Sequence, residues 1–137
     1  MQASDKLAVA ELLARAAYGL DVKNLATLEA SFTEDARFTL VIDGAGDPTV
    51  FEGRAAIMDL FSGALETQTD VRRHALSNVF FSVEGADDAE VVSYLTLFGT
   101  ENGLTRLITC GVYTDKVVTT PDGWRIQDRH LQLDTPY

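Results

Sequence analysis

The sequence predicts an α+β protein with a cone-like fold, in which three N-terminal helices pack on a strongly curved antiparallel sheet and enclose a pocket. In the first 65 residues, apolar side chains recur mainly at helical spacing, with one strand between the second and third helices. The remainder consists of long strand-like runs separated by turn residues. Helices that precede a series of strands favour an α+β layer over alternating βα units. Because neither a linker nor a repeat interrupts the 137 residues, we expect a single domain over 1–137.

Three segments carry the helical pattern. The first runs from about Asp5 to Leu20, and its expected buried stripe consists of Leu7, Ala10, Ala14 and Ala17. The second begins after Asn24, a residue type that caps helices well, and reaches Phe32. The third covers residues 54–65, where apolar residues again recur every three or four positions.

Strands are predicted at residues 36–42, 71–83, 90–98, 104–118 and 124–133. The separators between the last four are rich in Gly, Asp and Asn, which are hairpin-turn residues. Long consecutive strands joined by tight turns imply an antiparallel sheet. Three helices can cover one face of such a sheet, and the curved interior is a suitable place for a small-ligand pocket.

Composition narrows the classes of function. The formal net charge of −10 and the pI near 4.4 argue against nucleic acid as a partner, because its phosphates require clustered Lys and Arg. The single cysteine, Cys110, excludes an internal disulfide and fits a cytoplasmic location. No signal peptide or membrane-spanning run is apparent, so no membrane association is expected. Phosphate-binding loops and metal-ligand spacings are absent, so neither a cofactor nor a metal is expected.

Two polar residues break the apolar pattern. Asp21 continues the stripe of the first helix, so its carboxylate is expected at the buried face, where it could also simply cap a turn. His74 shares one strand face with Arg72, Leu76, Asn78 and Phe80, and it could equally be a core histidine bonded to a backbone carbonyl. If the two side chains meet, the carboxylate would fix the imidazole tautomer and create a general base. The sequence pattern alone leaves these alternatives open.

A wider set of motifs resembles the SnoaL-like, nuclear transport factor 2-like superfamily. The resemblance covers nearly the whole chain and is carried by the segments Leu20-Asp21, Phe32-Thr33-Glu34-Asp35-Ala36, Phe51-Glu52-Gly53-Arg54, Arg73-His74-Ala75-Leu76-Ser77-Asn78, Gly111-Val112-Tyr113-Thr114-Asp115 and Asp122-Gly123-Trp124-Arg125-Ile126. Dehydratases, dehydrochlorinases, ketosteroid isomerases and polyketide cyclases belong to this superfamily. In its dehydratase and dehydrochlorinase branches, an aspartate after the first helix pairs with a strand histidine, and the resemblance gives those positions to Asp21 and His74.

The resemblance also implies substrate contacts. Arg125 falls near a substrate-steering arginine of the dehydrochlorinase branch, and Tyr113 near polar ligand contacts of the dehydratases. Tyr18 is the phenol nearest to a tyrosine that precedes the aspartate in one dehydratase branch. Asn78, on the face of His74, and Tyr94 complete the expected substrate-binding set. Both tyrosines on strands, Tyr94 and Tyr113, could instead be packing aromatics. Arg129 is expected to be exposed, as arginines usually are.

We therefore expect a cofactor-free lyase or isomerase, dehydratase-like, that uses Asp21 and His74 as a general base on a small apolar molecule of aromatic, steroid or polyketide type. One alternative is a non-catalytic ligand-binding or assembly module of the same fold. Another is a cyclase or hydrolase that uses a carboxylate such as Asp115 or Asp128. A homodimer through the outer face of the sheet is also expected, because three helices cannot cover both faces.

Overall fold

Three helices lie on one face of a six-stranded sheet in the computed structural model, which describes residues 1–137. In chain order the elements are α1 (Ala3–Asp21), α2 (Leu25–Ser31), β1 (Phe32–Ile42), β2 (Thr49–Glu52), α3 (Arg54–Thr67), β3 (Val71–Glu84), β4 (Asp88–Glu101), β5 (Leu104–Thr120) and β6 (Gly123–Leu133). The strand order across the sheet is β2-β1-β6-β5-β4-β3. The predicted α+β class and the three N-terminal helices are confirmed.

The sheet is mixed, and in this respect the prediction of an antiparallel sheet is wrong. Strands β3 to β6 form an antiparallel meander, but β1 pairs with β6 in parallel, with Leu40 opposite Leu131. Tight turns dictate antiparallel pairing only between strands that follow each other, and β1 and β6 are far apart in the chain. The short strand β2 was not predicted; it forms a hairpin with β1 after the loop 43–48.

Helix α1 buries a different stripe from the predicted one. Leu7 is 73% exposed, and Ala10 and Ala14 are also exposed. The buried residues of α1 are Val9, Leu12, Leu13, Ala16, Ala17 and Gly19. Since Ala17 belongs to both stripes, Asp21, one helical turn later, still faces the interior. The helix ends there because Lys23 adopts a left-handed conformation with φ of 57°.

Several bulges interrupt the alternation of side chains, including bulges in β3, β5 and β6. In β3, two residues lie between Ser77 and Phe80 where β4 has one, and Asn78 takes a φ of 54°. In β6, Gln127 is the extra residue between Ile126 and Asp128. A further bulge lies in β5, between Leu107 and Thr109. Each bulge bends its strand and moves the following side chains to the other face.

The core lies between the helices and the concave face of the sheet. Twenty buried apolar residues form one cluster, in which the ring of Phe61 from α3 lies 6.0 Å from Phe32 and 6.1 Å from Phe38. These centroid distances suit tilted aromatic packing. None of the three helices is both long and apolar enough to cross a membrane. A cavity remains between the helices and the concave face of the sheet.

Candidate functional site

The cavity lies between α1, α3 and the concave face of the sheet, and its walls are mainly apolar. Its lining residues are Leu20, Phe38, Leu40, Leu60, Phe61, Ala64, Leu65, Gln68, Arg72, His74, Leu95, Leu97, Thr109, Tyr113, Arg129, Leu131, Leu133 and Tyr137. The volume is about 100 Å³. A single water needs roughly 10–15 Å³ by a comparable measure, so the space suits a small organic molecule better than one solvent molecule. Exposed Ala64 and Tyr137 mark the entrance.

Asp21 and His74 are in direct contact at the wall of this cavity. Oδ1 of Asp21 lies 2.6 Å from Nδ1 of the imidazole. The backbone N–H of His74 also donates to the same carboxylate, at 3.0 Å to Oδ1 and 3.1 Å to Oδ2. The side chains of His74 and Asp21 are only 13% and 8% exposed. The Asp21 carboxylate at the end of α1 thus binds both the backbone N–H and the ring of His74 on β3.

This geometry determines what the imidazole can do. Because Nδ1 faces a carboxylate, the neutral ring carries its proton on Nδ1. This N–H donates a hydrogen bond to Asp21. Nε2 then bears the free lone pair, and it makes no hydrogen bond within the chain. His74 lines the cavity, so an unprotonated Nε2 is available to a ligand there. A base oriented by a buried carboxylate is suited to take a proton from a bound molecule.

A second charged pair, Asp115 and Arg129, is buried deep in the site. Nε and Nη2 of Arg129 donate to the two carboxylate oxygens of Asp115 at 2.7 Å and 3.0 Å. Arg129 is 3% exposed and Asp115 fully buried. Burial alone would lower the pKa of Arg129, but the charge and hydrogen bonds of Asp115 outweigh it and raise that pKa. The guanidinium therefore stays charged beside the cavity, which it lines.

Tyr113 lies against this guanidinium. The Arg129 carbon Cζ is 4.2 Å from the centroid of the phenol ring, a cation–π distance. Burial raises the pKa of Tyr113, and the nearby positive charge of Arg129 only partly opposes this effect. The phenol is consequently a neutral hydrogen-bond donor over the physiological range. Tyr113 and Arg129 together present donors to the same cavity that His74 lines.

The structure leaves four of the expected substrate-binding residues outside the cavity. Tyr18 is 65% exposed on the outer side of α1, and Tyr94 is 50% exposed on the convex face of the sheet, because the inward positions of β4 are odd-numbered. Asn78 sits at the bulge of β3 and turns to solvent. Arg125 bonds the backbone carbonyl of Trp124 at 2.7 Å. Of the five expected substrate-binding residues, only Tyr113 lines the cavity. The expected catalytic residue His74 lines it as well.

Sequence reasoning missed five polar residues of the cavity wall, namely Gln68, Arg72, Thr109, Arg129 and Tyr137. Arg129 was expected to be exposed, but the bulge at Gln127 separates its face from that of Arg125 and turns it inward. Tyr137 reaches the entrance because Thr135 bonds to Thr109 at 2.8 Å and draws the tail along β5. Arg72 shares the face of His74, and this parity was the one signal that could have identified it. No group of three or more His, Cys, Asp or Glu side chains converges on a metal-binding geometry.

Helices over a curved sheet, with an apolar cavity and a few inward polar groups, define an α+β protein of the class in which small-molecule pockets commonly form. The chain belongs to the SnoaL-like domain family, which residues 1–130 match. No curated protein matches the chain. The resemblance inferred from the sequence motifs is therefore confirmed at the level of family and fold.

Solved structures share this fold at low sequence identity. A candidate aromatic ring hydroxylase from Novosphingobium aromaticivorans is 25% identical, with a TM-score of 0.83, and the match covers 99% of this chain and 93% of that one. The beta subunit of a candidate aromatic-ring-hydroxylating dioxygenase from the same organism is 19% identical, with a TM-score of 0.80 and coverage of 95% and 89%. A candidate dehydratase of the NTF2-like family from Streptomyces avermitilis is 19% identical, with a TM-score of 0.78 and coverage of 96% and 97%.

Proposed function

We propose that the chain is a cofactor-free lyase or isomerase that removes a carbon-bound proton from a small, mainly apolar molecule. The observation that carries this proposal is the 2.6 Å contact between Asp21 and Nδ1 of His74 beside an apolar cavity. His74 would act as the general base through Nε2, and Asp21 would orient the ring and stabilise the imidazolium that forms. The name of the similar dehydratase supports the same class of reaction.

In the elimination that we propose, Nε2 of His74 takes a proton from the carbon next to an electron-withdrawing group. The C–H electron pair forms a carbon–carbon double bond, and the hydroxyl on the neighbouring carbon leaves. The imidazolium returns its proton to that hydroxyl, so the products are an alkene and one water, and His74 is neutral again. In an isomerisation, the same proton would return to a different carbon of the substrate.

Tyr113 and Arg129 suit the proton-removal step of this chemistry. Removal of a proton beside a carbonyl places negative charge on the carbonyl oxygen, and hydrogen-bond donors that face this oxygen lower the barrier. The phenol of Tyr113 and the charged guanidinium of Arg129 are the buried donors of the cavity wall. We propose that they polarise an oxygen of the substrate, which would be an aromatic, steroid-like or polyketide-like carbonyl compound.

The carboxylate-dependent alternative receives less support from the geometry. Both oxygens of Asp115 accept hydrogen bonds from Arg129, so this carboxylate is buried and engaged. Asp128 lies on the convex face of the sheet among polar residues, away from the cavity. The non-catalytic alternative draws on the similar dioxygenase beta subunit, whose name describes a component of an assembly.

A deuterium-exchange screen tests the proposal across a whole class of candidate substrates. The protein is incubated in D2O with a panel of aromatic and polyketide-like β-hydroxy ketones, and deuterium incorporation or loss of water is followed by NMR and mass spectrometry. We expect at least one compound to exchange or eliminate with wild type and not with His74→Gln. Equal exchange by the two proteins across the panel would contradict a base at His74.

We also propose a homodimer through the convex face of the sheet. Directly paired residues on four adjacent strands form a row of alternating charge: Glu90, Lys116, Asp128 and Arg37. These side chains share a surface cleft that contains no hydrophobic residue. Exposed apolar residues continue the same face towards β3, namely Phe80, Tyr94, Phe98 and Leu107.

The charge row is self-complementary under a two-fold rotation. If the axis lies between β5 and β6 and runs along the strands, each position of the row meets its mirror position in the second copy. Lys116 then faces Asp128 of the second copy, and Glu90 faces Arg37. An isologous interface requires this kind of self-complementarity. The single cysteine, Cys110, supports a cytoplasmic setting for this assembly.

A further inference from the structure

Arg72 is a cation at the cavity entrance that the proposed chemistry does not use. It lies two residues before His74 on β3, and both side chains line the cavity because alternate residues of a strand share a face. Its side chain is 21% exposed, whereas that of His74 is 13% exposed, so Arg72 lies nearer to solvent. An arginine in a mainly apolar wall indicates a ligand that carries a group of opposite charge or a hydrogen-bond acceptor.

The side chain of Arg72 is held in place by a single hydrogen bond, which its Nε donates to Asp70. The distance from Nε to Oδ1 of Asp70 is 3.0 Å, and the Asp70 side chain is only 8% exposed. Gln68 in turn donates to the backbone carbonyl of Asp70 at 3.0 Å. Gly99 is the partner of Arg72 on β4, and a Cβ there would lie 2.8 Å from Oδ2 of Asp70. The absence of a side chain at this position therefore makes room for the carboxylate that fixes Arg72.

The two terminal nitrogens of Arg72 make no hydrogen bond within the chain. Arg129 differs, because it gives Nε and Nη2 to the two oxygens of Asp115 and is almost fully buried from bulk solvent. Nη1 and Nη2 of Arg72 form a planar edge whose donors match the two oxygens of a carboxylate. The overall charge of −10 would repel anions, so a site for one requires a local cation of this kind.

We propose that the natural ligand of the cavity carries a carboxylate, which binds the Nη1 and Nη2 edge of Arg72 at the entrance. The apolar body of the ligand then extends inwards past His74 towards Tyr113. The substrate would thus be an apolar compound of the proposed class that also carries a carboxylate. This inference rests on the proposed function only in that both require a small apolar ligand in the cavity.

Calorimetric titration with two matched probes, 2-naphthoate and its neutral amide 2-naphthamide, tests the inference on the intact chain. Wild type should bind the carboxylate about ten- to a hundredfold more tightly than the amide, as expected for charge-assisted hydrogen bonds. Arg72→Met should abolish this preference, and Arg72→Lys should keep only part of it because the planar edge is lost. Arg73→Met is the matched control: Arg73 is the exposed neighbour on the opposite face and should leave the preference unchanged.

The outcomes separate this inference from the proposed function. Equal affinity of wild type for the two probes, or a preference that survives in Arg72→Met, would overturn the role of Arg72 and leave the catalytic proposal intact. If neither probe binds wild type, the cavity does not accept an apolar ligand and both proposals fail. Circular dichroism of each variant checks that folding is retained, which we expect because Arg72 lies at the rim of the core.

Discussion

The carboxylate of Asp21 contacts His74 twice, at the ring nitrogen Nδ1 and at the backbone N–H. The backbone contact anchors β3 to the end of α1, and the ring contact fixes the tautomer. These two roles can be separated by substitution, because an amide oxygen can replace the carboxylate as an acceptor for the backbone but cannot reproduce its charge.

Asp21→Asn should therefore preserve stability and reduce turnover. The side-chain oxygen can still accept from the backbone of His74, whereas a neutral amide no longer stabilises the imidazolium and can present its NH2 group to Nδ1. We expect a loss of about a hundred- to ten-thousand-fold in kcat/KM, comparable to that of His74→Gln. Asp21→Ala should also lower the free energy of unfolding by about 1–3 kcal/mol, because a partly buried N–H loses its acceptor. Urea unfolding and steady-state kinetics on the compound found by the deuterium screen measure both effects.

The pH dependence of kcat/KM provides a second check on His74. Protonation of Nε2 removes the base, so activity should fall on the acidic side of the profile. The residual activity of His74→Gln should lack this acidic limb. An identical limb in the variant would mean that another group titrates and that His74 serves a structural role.

The sequence predicted the helices and the long strands, and the family resemblance paired Asp21 with His74, but neither predicted that Arg72, Arg129 and Tyr137 line the site. The helices and turns follow from local spacing and turn chemistry, which the sequence carries directly. Bulges depend on pairing with the neighbouring strand and have no reliable local signal. The bulges at Gln127 and Asn78 therefore hid the inward orientation of Arg129 and the outward orientation of Asn78. The parallel pairing of β1 with β6 is a long-range contact of the same kind.

The buried pair of Asp115 and Arg129 should show strong energetic coupling. Arg129→Met alone leaves a buried carboxylate without its partner, which should cost about 3–5 kcal/mol of stability. The double variant with Asp115→Leu removes both charges, and we expect it to recover most of this loss because apolar pairs often replace buried ion pairs well. A double-mutant cycle by urea unfolding measures the coupling, and additive effects of the two changes would contradict it.

Tyr113→Phe should reduce kcat/KM by about ten- to a hundredfold and leave stability nearly unchanged, since the ring keeps its contact with Arg129. Tyr94→Phe, on the convex face, is the matched control and should have no effect. Because burial raises the pKa of Tyr113, the folded state favours the neutral phenol. The stability that this preference contributes is fully present below the ordinary tyrosine pKa of about 10. It is lost as the pH rises through the raised pKa of Tyr113 in the folded protein. In an ultraviolet titration, the most alkaline phenol transition should disappear in Tyr113→Phe.

The proposed dimer makes a prediction about charge reversal on the convex face. In the two-fold arrangement, Lys116→Glu places two carboxylates opposite each other at each of the two symmetry-related contacts, and like charges at an interface are unfavourable. We expect light scattering at micromolar concentration to report a dimer for wild type and a shift towards monomer for Lys116→Glu. The double variant Lys116→Glu with Asp128→Lys restores opposite charges across the interface, although within the row it places like charges beside Glu90 and Arg37, and it should shift the equilibrium back towards the dimer. Lys23→Glu, the same change on an exposed residue of the helical side, should leave the dimer intact. A wild type that is monomeric throughout this range, or a double variant no better than the single one, would contradict the proposed axis.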